Sequence, residues 1–149
     1  MPVEEAPRPA PWCLFVSGSR DLRREHYPLV RDKIEPYATP AGGVLIHGDG
    51  DGRNGSIGCD ELARMAGEYF NMRIIPIPAD WERLSKRAGP LRNRVCAEVL
   101  LAHSYGMYRL AFLAFSTGGP GTEGAHKIVS DRSRIENEPI HIEKFQITL

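Results

Sequence analysis

Apolar runs alternate with helix-period segments along the chain, and turn chemistry marks each junction. CLFV (Cys13–Val16) reads as a buried strand, followed by SGSRD. From Tyr27 to Tyr37 the spacing of Val30, Ile34 and Tyr37 predicts a helix that Pro36 and Pro40 close. VLIH (Val44–His47) predicts a second strand. After a glycine-rich loop, Leu62, Met65, Ala66, Tyr69 and Phe70 form a helical stripe for which Asp60 is the expected cap. RIIPI (Arg73–Ile77) predicts a third strand, and Pro76 puts it at a sheet edge or ends it early. A polar loop, PADWERLSKRAGP, leads to a helix with Pro90 in its first turn and Leu91, Val95, Val99 and Ala102 apolar. RLAFLAF (Arg109–Phe115) is the most hydrophobic run and suits a central parallel strand. STGGPGTEG, a helix from about Thr122 to Ile135 and a strand near Ile140–Phe145 complete the pattern.

This alternation predicts an α/β fold, a Rossmann-like open parallel sheet of about five strands with helices on both faces. Residues 12–149 read as a single domain, and the acidic, proline-rich residues 1–11 as a disordered or extended tail. In such a sheet the strand-to-helix loops leave from one edge, where ligands bind. SGSRD, HGDGDGRNGSIGCD, PADWERLSKRAGPLRNR and STGGPGT are therefore expected on one rim.

Composition narrows the partners. The 149 residues are 42% hydrophobic, enough for a core, and carry 19 basic and 19 acidic side chains. No whole-protein field draws the chain toward a membrane or an extended nucleic-acid surface. Cys13, Cys59 and Cys96 are odd in number and lack zinc spacing, so reduced thiols in a cytoplasmic compartment are the simplest account. His103, His126 and His141 show no metal spacing either, and no metal or cofactor is expected.

The loop HGDGDGRNGSIGCDELA (His47–Ala63) admits three readings: a calcium loop, a phosphate cradle or a surface turn. Counted from Asp49, Arg53 and Asn54 occupy the fifth and sixth places, which excludes the calcium loop. Ser56 stands where a phosphate loop needs lysine, and Gly50, Gly52 and Gly55 match only the weak dinucleotide pattern. Asp49 and Asp51 suit ribose hydroxyls or hold the loop shut through Arg53; a solvated hinge is an equal alternative. Gly48, Gly58 and Asp60 are candidates to approach a ligand.

STGGPGTEG is the stronger signal. Gly118, Gly119 and Gly121 permit close approach, and Thr122 with the first helical amides directs N–H groups and the positive dipole end at the rim. A capped glycine turn, through Thr117 or Thr122, is the competing reading. In GPLRNR, Arg92 and Arg94 are expected in the first turn of their helix, where cations oppose the dipole unless an anion compensates. Arg92 offers a phosphate a bidentate fork and Asn93 a polar partner. Gly18, Ser19 and Arg20 follow the first strand, and Arg20 either reaches the ligand or pairs with Asp21. Trp81 either stacks on a base or plugs a core edge. His47 reads as a satisfied core histidine at a strand end. Glu123 is the one carboxylate placed to act on a ligand held by GPGT, as a catalytic group or as favourable charge at a helix start.

Together VSGSRD, IHG with GCDELA, PADW, GPLRNR and AFSTGGPGT resemble the SLOG superfamily, the Rossmann-like group that includes the Lonely guy phosphoribohydrolases and the Smf/DprA proteins. The likeness is to its small YspA-like branch and runs from Cys13 to about Ile142. It implies a nucleotide-derived ligand (a nucleoside monophosphate, an ADP-ribose relative or a signalling nucleotide) bound by a sensor or sequestering protein. The alternative it implies is an N-glycosidic hydrolase acting on a nucleoside monophosphate. It also points, with the proline-interrupted edge, to a homodimer. Two departures stand out. DGDGRNGSI is inserted before Gly58, and Ala125 occupies the place of the phosphoribohydrolase glutamate, with Glu123 two residues early on another helix face.

Overall fold

The computed structural model describes residues 9–38, 42–137 and 139–149. Residues 1–8 of the expected tail, and the closing role expected of Pro40, lie outside the described residues. The strands are β1 (Trp12–Gly18), β2 (Val44–His47), β3 (Arg73–Pro76), β4 (Arg109–Ser116) and β5 (Ile140–Gln146). The helices are α1 (Tyr27–Ala38), α2 (Cys59–Tyr69), the single turn α3 (Trp81–Leu84), α4 (Ala88–Ala102) and α5 (Pro120–Ile135).

All strand pairs are parallel and the order is β3-β2-β1-β4-β5, a Rossmann-like open sheet. Side-chain alternation feeds two cores, which is why β1 and β4 are continuous apolar runs. Leu14, Val16, Leu113 and Phe115 pack with Val30, Ile34, Leu62 and Ala66 from α1 and α2. Cys13, Phe15, Phe112 and Ala114 pack on the other face with Cys96, Leu100, Ala125 and Val129 from α4 and α5. The three cysteines are buried and unpaired, and burial pushes the Cys13 and Cys96 thiols up to about 12. Among the described residues, no helix is long and apolar enough to cross a membrane.

Four local expectations change. Pro36 lies inside α1 and does not close it, because Tyr37 and Ala38 continue into the core, where Tyr37 packs edge-on against Trp12. Asp60 is not the cap of α2: Gly58 is, at φ 85°, a backbone conformation open to glycine and strained for other residues. Leu91 and Val95 are exposed, and α4 turns Ala88, Gly89, Asn93, Cys96, Ala97 and Leu100 inward. Finally, α4 begins at Ala88, so Arg92 and Arg94 lie beyond its first turn. The expected dipole conflict does not arise. Pro76 ends β3, and β3 does lie at the sheet edge.

Candidate functional site

Strand order reverses direction between β1 and β4, and chains leaving their C-terminal ends must part there to reach opposite faces. A cavity of about 620 Å³ opens at this point and is lined by all four strand-to-helix segments. That volume falls inside the range of roughly 300–1,000 Å³ for small-molecule sites.

The switch point is stitched by hydroxyls. Thr117 donates through Oγ1 to Ser19 Oγ at 2.9 Å, and Ser19 Oγ also accepts from the Asp21 amide at 3.1 Å. Ser19 N donates to the Phe115 carbonyl, 2.9 Å away, so the β1 and β4 loops are held side by side. Thr117 is thereby engaged across the sheet and caps nothing.

The start of α5 forms one wall. Its N-cap, Gly119, has extended backbone, no side chain among the described residues caps the helix, and Pro120 occupies the first turn. A Cβ added at Gly119 or Gly121 would meet nothing within 4 Å, and both line the cavity with the buried Thr122. The space these glycines leave is the cavity itself. Asn93 is buried and donates through Nδ2 to the Gly121 carbonyl at 3.4 Å, joining α4 to this turn. Gly118 lies outside the lining; its positive φ of 97° makes the turn, and its amide bonds Ser116 Oγ at 3.0 Å.

Arg92 reaches across from α4. It donates from Nη1 to the Gly48 carbonyl at 2.5 Å and from Nε to Asn93 Oδ1 at 3.1 Å, and a Cβ on Gly48 would collide with its guanidinium. Asp60 faces the same corner: its Oδ2 accepts from the Gly50 amide at 2.9 Å, which explains why it is free of capping duty. Burial pushes its carboxyl above the ordinary 3.8, opposed by the Gly50 and Gly48 amides, Arg92 and His47. His47 is 1% exposed; its Nδ1 accepts from the Asp49 amide, which leaves the proton on Nε2, a buried atom with no partner among the described residues. The histidine is therefore only half satisfied, and burial lowers its pKa.

The long loop after β2 is folded over the first-strand loop. Arg53 forks onto Asp21 at 3.0 and 2.7 Å, and Arg20 donates from Nε to the Asp51 carbonyl at 2.8 Å. Ser56 bonds the Arg20 carbonyl at 2.7 Å, while Ile57 and Gly58 both donate to the Leu22 carbonyl. The loop is held shut, and the carboxylate that takes Arg53 is that of Asp21, not of Asp49 or Asp51. Asp49 and Asp51 are among the residues that line the cavity. Gly58 belongs to this closure and is outside the lining, packed against Gly52.

The structure brings Gly18, Ser19, Arg20, Gly48, Asp60, Arg92, Asn93, Gly119, Gly121 and Thr122 into one cavity. Glu123 is not in it. Its carboxylate accepts from Ser116 Oγ at 2.8 Å and from Lys144 Nζ at 2.9 Å, contacts that hold its pKa below the ordinary value. Arg94 is exposed and also outside. Sequence reasoning missed Ile128, which lines the cavity with Gly121 and Gly124; their spacing along one helix face was the available signal. It also missed Pro78, Pro90 and Pro120 as wall residues.

Compared with protein-family models, curated proteins and solved structures, the chain finds no match.

Proposed function

We propose that this cavity binds a phosphorylated nucleoside derivative and that the protein acts as a sensor or sequestering protein for it. One observation carries the reading: the uncapped start of α5, faced by open space at Gly119 and Gly121, shares its cavity with the Arg92 guanidinium. Unpaired helix amides and a nearby cation suit a phosphate. Asp49 and Asp51, on the loop opposite, suit ribose hydroxyls. The resemblance to the SLOG superfamily supports the same class of ligand. A ligand that binds only the folded state raises apparent stability, so a melting screen against nucleoside mono- and diphosphates, ADP-ribose and cyclic nucleotides tests the proposal. At least one compound should raise Tm; a flat response across the panel overturns it.

A hydrolytic reading keeps one specific support. Asp60 is a carboxyl raised by burial inside the cavity, a property suited to protonating a departing base. Under this reading Asp60, not Glu123, carries the chemistry. Release of free base from nucleoside monophosphates, abolished in Asp60→Asn and retained in Glu123→Gln, would establish it. A homodimer also belongs to the proposal: Leu91 and Val95 lie four residues apart on the exposed face of α4, and sedimentation of the wild type against Val95→Asp tests that surface.

A further inference from the structure

The two tryptophans have opposite surroundings. Trp12 is covered by the Tyr37 ring at 5.1 Å and by the Arg109 guanidinium at 4.4 Å, at the other end of the sheet. Trp81 lines the cavity with 52% of its surface exposed, and among the described residues no other ring or cation lies against it. Its position is nevertheless fixed. Asp80 caps the α3 turn by accepting from the Arg83 amide at 3.2 Å, and Gly89 lets the indole edge settle onto α4, since a Cβ there would lie 3.2 Å from Cη2. Pro78, Ala79 and Pro90 continue this wall without a charged group, whereas the polar groups of the cavity come from the other three loops and from Arg92 onward in α4.

We propose that Trp81 is a stacking platform for a planar heteroaromatic base, which makes the ligand a base-bearing phosphate ester and not a bare sugar phosphate. The inference rests on the nucleotide reading above and adds an orientation, base at Trp81 and phosphate at the start of α5. An indole held open inside a cavity is a face that any base can cover, with a sequence-tolerant gain from stacking.

The test compares AMP, GMP, CMP and UMP with ribose 5-phosphate by calorimetry, on wild type, Trp81→Ala and Trp81→Phe. At least one nucleotide should bind the wild type about tenfold or more tightly than ribose 5-phosphate. Trp81→Ala should erase that difference by weakening the nucleotide about tenfold more than ribose 5-phosphate, and Trp81→Phe should restore most of it. In Trp12→Phe, where Trp81 is the sole tryptophan, the nucleotide should quench the remaining fluorescence and ribose 5-phosphate should not. Equal binding of ribose 5-phosphate and every nucleotide by the wild type overturns the stacking role and leaves the phosphate site standing. No binding of any probe overturns both.

Discussion

The guanidinium of Arg92 donates to the carbonyl oxygen of Gly48, 2.5 Å away and 44 residues distant in sequence, and so joins α4 to the loop after β2 at the cavity wall. A charged hydrogen bond of this kind contributes about 1.5–3 kcal/mol. Arg92→Ala should therefore lower Tm and weaken the phosphate ligand roughly tenfold or more, the two losses being separable by titration below the new Tm. Arg92→Lys keeps the charge but loses the paired donation to Gly48 and Asn93, and should recover affinity better than stability. Unchanged affinity in both variants would remove Arg92 from the binding site.

Gly121→Ala should move stability and binding in opposite directions. The new methyl points into open space and alanine suits a helix better than glycine, so the fold gains up to about 1 kcal/mol. The same methyl occupies the cavity beside the α5 amides. Thermal unfolding and nucleotide titration on one sample would show a higher Tm with weaker binding; a tighter complex would contradict the placement of the ligand.

Glu123→Gln tests the opposite expectation. Its carboxylate faces Lys144 and Ser116 outside the cavity, so ligand affinity should match the wild type. Because its folded pKa is lowered, its contribution to stability is present above the unfolded value of 4.5 and lost as pH falls through the folded one. The difference in Tm between variant and wild type should shrink on the acid side. A constant difference from pH 7 to pH 3 would deny the ion pair any role.

Elements buried on both faces were legible in the sequence because their apolar runs admit one reading: β1, β2 and β4 fall where the runs lie, and β4 is an interior strand. The rim position of four glycine-bearing loops followed from element order alone. The inward face of α4 was not legible. Leu91, Val95, Val99 and Ala102 have helical spacing, but so do Asn93, Cys96, Ala97 and Leu100, and it is this second set that the fold buries, with Asn93 bonded to Gly121 of α5. Contacts between distant loops were equally hidden: Arg53 meets Asp21, 32 residues away, and not Asp49 or Asp51, which are nearer in sequence. Composition near Glu123 gave no sign that Lys144 of β5 would draw it outward.

Arg53→Ala should release the loop after β2 without unfolding the sheet, since the Arg53–Asp21 pair is at the surface and the core does not depend on it. Hydrogen exchange should accelerate at Arg53, Ser56 and Ile57, whose amides bond the neighbouring loop or its own turn, and stay unchanged in β1 and β4. Arg53 holds the Asp21 carboxyl below its ordinary 3.8. This loop contact is therefore complete above that value and lost as pH falls through the lowered one. Uniform acceleration across the sheet would mean that the loop is part of the global folding unit.

Asp60→Asn should change the pH dependence of stability with a sign opposite to that of Glu123. Burial raises the Asp60 pKa, so between 3.8 and the folded value the native state holds a proton that the unfolded chain has released. In that window rising pH erodes the stability of the wild type, and the asparagine variant is spared. His47 acts in the same direction. The Asp60 charge raises the His47 pKa against the lowering effect of burial, so removing that charge makes the variant lose more stability than the wild type when pH falls below 6.5. The Tm of Asp60→Asn relative to wild type should thus climb as pH rises above 3.8 and level off once Asp60 and His47 have both lost their protons. Arg92 is the counterweight, because its cation stabilises ionised Asp60; the climb should extend to higher pH when Arg92→Ala is present in both proteins. A difference that stays level or falls with pH would show that Asp60 is solvated in the native state, and would remove it as the proton donor of the hydrolytic reading.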